Sequence, residues 1–183
     1  MVEYYTRQDI ANFSESMGSQ LRESVRKRAE GRSPQNATFL SHSSRDADVI
    51  LPIVKILEDH GSSVYIDKKD PSLPPYTSKE TASILRMRIG QSKKFVLLAS
   101  QNSKDSKWVP WELGLADGRK VDGDIAIFPV LEKANDTAWL SWEYLGLYDR
   151  IVRGKFEGTT KDVWMVLDVK KNTATELSKW LAQ

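Results

Sequence analysis

At 183 residues, 40% hydrophobic and 28% charged, the chain has the make-up of an ordinary globular protein, long enough for one well-buried domain and an appendage. A net charge of +2 is too small to argue for nucleic acid or a membrane surface as partner, and the lack of cysteine excludes disulfides, thiolate metal sites and a cysteine nucleophile. The N-terminus carries no apolar core of a signal peptide, and no window approaches the roughly 18 apolar residues of a membrane span, so a cytoplasmic protein is expected.

From Thr6 to about Glu30, the residues Ile10, Phe13, Met17, Leu21, Val25 and Ala29 recur at three- and four-residue steps, which predicts one amphipathic helix. Its basic residues Arg22, Arg26, Lys27, Arg28 and Arg32 are interrupted by Glu23 and Glu30, the pattern of a solvated face rather than a phosphate-binding stripe. Gly31 to Asn36 reads as a linker, so residues 1–36 form an N-terminal helix and linker.

A βαβ rhythm follows. Ala37 to Ser41 reads as a strand and Ser41 to Asp46 as a polar turn leading to a helix cap. Ile50, Ile53, Val54 and Leu57 make the next helix amphipathic; Gly61 stops it, and Pro52 must fall in its first turns or bend it. Ser63 to Asp67 is a second strand, followed by a proline- and lysine-rich loop from Lys68 to Tyr76. Thr77 and Glu80 have capping-box spacing for a helix ending near Gly90. Phe95 to Ala99 is a third strand, Ser100 to Lys107 a loop, and Pro110 suits the first turn of the helix carrying Trp108 and Glu112. Asp124 to Leu131 is a fourth strand and Leu145 to Val152 a fifth. This alternation predicts an α/β fold with a parallel sheet covered on both faces over residues 37–152. The tail, 153–183, reads as a strand at Val163 to Asp168, a turn at Lys170 to Thr173 and a helix from Glu176 to Leu181, packed on the domain as an extension.

Several chemistries lack their parts. There is no GxGxxG or GxxxxGK[ST] loop and no GxSxG elbow, and with His42 and His60 as the sole histidines a catalytic zinc would need unusual ligands. What remains is a carboxylate-centred site. Ser41, His42 and Ser43 follow the first strand, Asp67 the second, and Trp108 with Glu112 stand beyond the third, so all converge on the carboxyl edge of the sheet. A carboxylate there can bind ribose hydroxyls and stabilise an oxocarbenium-like transition state, while an indole stacks on a heteroaromatic ring. A cationic leaving group such as the nicotinamide of oxidised NAD would need no strong general acid. A plain structural role stands beside each assignment: Glu112 as a charge complementing its helix start, Trp108 and Trp111 as core, His42 as a hydrogen-bonding turn residue and Asp67 as a loop cap.

The assembled pattern resembles the Toll/interleukin-1 receptor (TIR) domain, particularly its bacterial NAD-consuming branch. Phe39 to Asp46 is similar to the family's first strand and loop, Val64 to Asp67 to its second strand, Lys68 to Tyr76 to its BB loop, and Ser106 to Leu113 to its catalytic segment. The resemblance implies a flavodoxin-like open five-stranded parallel sheet, with Glu112 catalytic and Ser41, His42, Ser43, Arg45, Asp67, Tyr76 and Trp108 facing the substrate. Val109 stands where the family often has cysteine. It further implies NAD as substrate rather than cofactor, no metal, self-association through TIR–TIR contacts, and a role like that of stand-alone TIR proteins in Thoeris antiphage systems, which reach a separate effector through a cyclic ADP-ribose-type messenger. A non-catalytic TIR–TIR adaptor and a nucleoside ribosyl transferase on a similar fold are the alternatives.

Overall fold

The computed structural model describes residues 2–67, 78–121, 123–134, 136 and 142–183. Five parallel strands form its centre: β3 (Thr38–Ser41), β4 (Val64–Tyr65), β5 (Lys94–Ala99), β6 (Ile125–Leu131) and β7 (Asp149–Gly154), laid side by side as β4-β3-β5-β6-β7. Numbered among themselves they run 2-1-3-4-5, the flavodoxin-like order, with its switch point between the first and third. The antiparallel strands β8 (Val163–Asp168) and β9 (Thr173–Glu176) extend the sheet beyond β7. Two short strands at the other end of the chain, β1 (Val2–Glu3) and β2 (Tyr5–Thr6), enter where β6 and β7 part: β1 pairs with Arg153 and Gly154 of β7, β2 with Val130 and Leu131 of β6.

Buried strands with period-two side chains must supply two apolar faces, and they do. Val96 and Leu98 of β5, with Ala126, Phe128 and Val130 of β6, join a core built with α1 (Arg7–Ser16), α2 (Gly18–Glu30), α3 (Ala47–Asp59) and α7 (Leu177–Ala182). The alternate residues Phe95, Leu97 and Ala99, with Ile125 and Ile127, join the opposite core under α4 (Lys79–Gln91) and α6 (Trp108–Asp117). The α/β architecture expected of the sequence is therefore observed.

Local departures have physical causes. The single N-terminal helix is two, because Gly18 takes a φ of +68° and turns the chain after Met17. The apolar stripe breaks with it: Ile10, Val25 and Ala29 are buried while Leu21 is exposed. Ser100 to Lys107 is not all loop, since the Ser100 hydroxyl accepts from the Ser103 amide and starts the short helix α5 (Gln101–Lys104). Ser78 rather than Thr77 caps α4, accepting from the Thr81 amide; Thr77 itself lies outside the described residues, as does the loop from Lys68 to Tyr76. The fifth parallel strand begins at Asp149, and a 3₁₀ turn, Glu143–Leu147, occupies the start of the predicted span. Pro52 lies in the second turn of α3 and is buried.

Candidate active site

The alternation that puts Phe39 under α4 and α6 and Leu40 on the other face directs Ser41 to the Phe39 side. There it meets α6. That helix starts with Pro110 as its third residue, and its buried stripe runs through Val109, Glu112, Leu113 and Ala116. Glu112 thus replaces an apolar residue on the face packed against the sheet. The Ser41 hydroxyl donates to Glu112 Oε2 at 2.5 Å, with Ser41 fully buried and Glu112 only 4% exposed. A buried carboxyl group of this kind is expensive unless hydrogen-bonded, and the short serine contact supplies such a bond.

The loop after β3 is stiff. Ser43 caps a 3₁₀ turn, Ser44–Asp46, by accepting from the Arg45 amide, and His42 is buried with Nδ1 3.1 Å from the Leu40 carbonyl, so the proton on that nitrogen points to backbone. Asp46 stands at the cap position of α3 yet makes no side-chain cap bond. Its fully buried carboxylate instead accepts from Ser100 Oγ at 2.7 Å, Asn102 Nδ2 at 2.8 Å and Arg7 Nη2 at 2.9 Å. Arg45 is exposed, 3.6 Å from Asp105. The loops following β3 and β5 are thereby fastened to each other and to the start of α1.

Trp108 lies one turn before Glu112, half-buried, with its ring edge-on to Trp111 at 5.0 Å and 82°. The two indoles line a 570 Å³ cavity with Ser78, Lys79 and Arg86 of α4 and its cap and with Lys107. Arg86 places its guanidinium carbon 5.4 Å from the Trp111 ring centre. Asp67 is half-buried just past β4, the strand beside β3. Of the residues singled out from sequence, the structure joins Ser41 to Glu112 by a hydrogen bond and sets His42 and Ser43 beside Ser41 in the chain. It turns Arg45 toward Asp105, and Tyr76 lies outside the described residues.

Sequence reasoning missed Asp46, its partners Arg7, Ser100 and Asn102, and Arg86. Asp46 carried a misleading signal, since an aspartate ahead of an apolar-periodic run reads as a helix cap. Among the described residues no group of three or more histidine, aspartate or glutamate side chains could hold a metal ion, and no helix is long and apolar enough to cross a membrane.

The TIR domain family model matches residues 38–157, which spans all five parallel strands from β3 to β7 and the Ser41–Glu112 pair. The chain belongs to the TIR domain family. This TIR chain is 40% identical over 148 residues, 79% of its own length and 75% of the relative's, to the "Probable 3' cyclic ADP-D-ribose synthase ThsB'" of Bacillus cereus (strain MSX-D12). It is also 36% identical over 94 residues, 48% of its length and 25% of the relative's, to the "Putative cyclic ADP-D-ribose synthase TIR2" of Cytobacillus dafuensis. The first match covers more residues than the family model does, so it extends beyond the TIR core.

Proposed function

We propose that this TIR protein cleaves the nicotinamide–ribose bond of NAD and forms a cyclic ADP-ribose-type product, or ADP-ribose when water intercepts the same intermediate. The observation that carries the reading is the buried Glu112 carboxylate, held by Ser41 one turn from the half-buried indole of Trp108. The names of the two relatives, both cyclic ADP-D-ribose synthases, favour the cyclised product.

Glu112 supplies a fixed negative charge where positive charge develops on the ribose. As the C1′–N1 bond breaks, its electron pair passes to the pyridinium nitrogen, and nicotinamide leaves neutral without taking a proton. The carboxylate stabilises the oxocarbenium-like sugar that remains, an effect enlarged by the water-poor surroundings of a nearly buried group. Capture of C1′ by a nucleophilic atom of the same ADP-ribose moiety closes the ring; capture by water, with loss of its proton, gives ADP-ribose. Ser41 positions the carboxylate, and Trp108 offers an aromatic surface to the departing nicotinamide. His42, Ser43, Arg45, Asp67 and Tyr76 complete the substrate-facing wall.

NAD is substrate here, with no resident cofactor. The protein acts in the cytoplasm in antiphage defence, self-associates through TIR–TIR contacts, and its product carries the signal to a separate effector. Mass spectrometry of the products formed from NAD tests the reading: a product lighter than ADP-ribose by one water is expected together with free nicotinamide, and intact NAD after incubation with the self-associated protein contradicts it.

A further inference from the structure

Arg7 is the first residue of α1, where a cation opposes the positive end of the helix dipole and does nothing for the helix itself. Its place is explained by what it reaches. The parallel pairing of Tyr5 with Val130 and Thr6 with Leu131 carries the chain along β6 to the end of that strand, and the capping box of Thr6 and Asp9 turns it there into α1. Arg7 therefore emerges at the carboxyl edge of the sheet, its guanidinium 2.9 Å from Asp46, 2.5 Å from Asp48 and 3.4 Å from Glu132. One cation joins the loop after β3, the first turn of α3 and the end of β6. It lies outside residues 38–157, so the TIR core does not supply it.

The loop from His42 to Asp46 is pinned at both ends. Its near end is Ser41, held in the ladder opposite Leu97 and bonded to Glu112. Its far end is the buried carboxylate of Asp46, to which Ser100 and Asn102 donate from the β5 side, while Asn102 Nδ2 also reaches the Arg45 carbonyl at 3.3 Å. Those two donors are neutral, and among the described residues Arg7 is the one cation paired with Asp46. Between the pins stand His42 and Ser43.

We propose that Arg7 is a positioning residue for substrate binding: acting through Asp46, it holds the loop carrying His42 and Ser43 in the conformation that receives NAD. The inference rests on the NAD-cleaving reading and deepens it. A buried carboxylate deprived of its cation is costly to keep in place. Its release frees the far end of the loop, while the β3–β5 ladder still holds Ser41 against Glu112. Loss of Arg7 therefore acts on binding more than on the chemical step, and apparent affinity falls with the fraction of molecules whose loop keeps its conformation. Plain destabilisation has a different signature: it lowers the amount of folded enzyme, and so the apparent kcat, without moving KM.

The test compares steady-state cleavage of NAD by the full chain in wild type, Arg7→Met, Arg7→Lys and Trp180→Phe. The last removes the indole bond to Gly123 and loosens the fold at the opposite edge of the sheet, away from the loop. Arg7→Met should raise KM for NAD about tenfold, with kcat per folded molecule within about twofold of wild type. Arg7→Lys keeps the charge without the guanidinium fork and should recover part of that loss, and Trp180→Phe should leave KM unmoved. Unchanged KM in Arg7→Met, or an equal rise in Trp180→Phe, overturns the positioning role. Amide hydrogen exchange of residues 42–46, followed by mass spectrometry, needs no turnover. It should quicken at least about tenfold in Arg7→Met and stay as in wild type in Trp180→Phe; unaltered exchange in Arg7→Met overturns the clamp. A wild type that leaves NAD intact would instead sink the NAD-cleaving reading, and the exchange alone then decides whether Arg7 holds the loop.

Discussion

Arg7 donates to Asp46 at 2.9 Å across a separation of 39 residues, and the carboxylate it reaches is fully buried. One end of that bond begins α1 and the other lies in the loop that follows Ser41. The N-terminal segment is thus built into the wall of the site. Arg7→Ala should cost about 3 kcal/mol in urea unfolding, the lower end for a broken buried pair, because Ser100 and Asn102 still donate to Asp46. Asp46→Ala should cost more, as it strips all three donors of their acceptor. A double-mutant cycle should show the two losses to be strongly non-additive; simple additivity would mean that the pair is not coupled.

Ser41→Ala removes the hydroxyl that holds Glu112. A hydrogen bond to a charged group is worth about 1.5–3 kcal/mol, so kcat for NAD should fall by roughly 10- to 100-fold, with KM changed much less. Steady-state kinetics with Ser41→Ala and Ser41→Thr check this. Threonine keeps the hydroxyl and should recover part of the rate; equal losses in both variants would contradict the positioning role.

At the opposite edge of the sheet, Asp149, Asp168, Lys170 and Lys171 share a cavity with Asp117, Lys120 and Tyr148. Burial pushes the Asp149 carboxyl up, the Asp168 charge adds to it, and Lys171 and Lys170 offset only part. A carboxyl raised in the folded state binds more protons there than in the unfolded chain. Its contribution is therefore present below the ordinary aspartate range and lost as pH rises through the folded value. Asp149→Asn should remove that loss. Thermal melts from pH 4 to 7 should show the variant gaining stability over wild type as pH rises, and a constant difference across the window would argue against a titrating Asp149.

The tail should be integral to folding. Trp180 is 4% exposed, donates from its indole to the Gly123 carbonyl at 2.6 Å, and lies 4.8 Å from the Nζ of Lys94, which pairs with Asp124. Trp180→Ala should cost about 3–5 kcal/mol by chemical denaturation, as for other large core truncations. A loss below about 1 kcal/mol would mark α7 as a loosely attached appendage, since surface substitutions fall in that range.

The legible parts of this fold were those with a strong local pattern. β5 is a continuous apolar run and was found within one residue, while α3 declared itself by its apolar spacing and Gly61. Trp108 and Glu112 could be set on one helix face because Pro110 fixed where that helix begins. Two-residue strands such as β1 and β2 have no periodicity to read, and their place between β6 and β7 depends on how those strands diverge. The break at Gly18 was hidden because the apolar spacing continues across it. Ser41 could be placed at the sheet edge, but its bond to Glu112 depends on how α6 crosses that edge, and Asp46 resembled a cap because its true partners come from β5's loop and α1. Arg86 gave no local signal, for it reaches the Trp111 ring only when α4 and α6 pack together.

The catalytic role proposed for Glu112 is tested most directly by nicotinamide release from NAD in wild type and Glu112→Gln, with both shown by circular dichroism to be folded. Glutamine keeps the shape and a hydrogen-bonding partner for Ser41 but removes the charge proposed to stabilise the ribosyl cation. Release should fall by at least about 100-fold, the scale seen when one transition-state electrostatic contact is removed. A folded Glu112→Gln protein releasing nicotinamide at the wild-type rate would contradict the account.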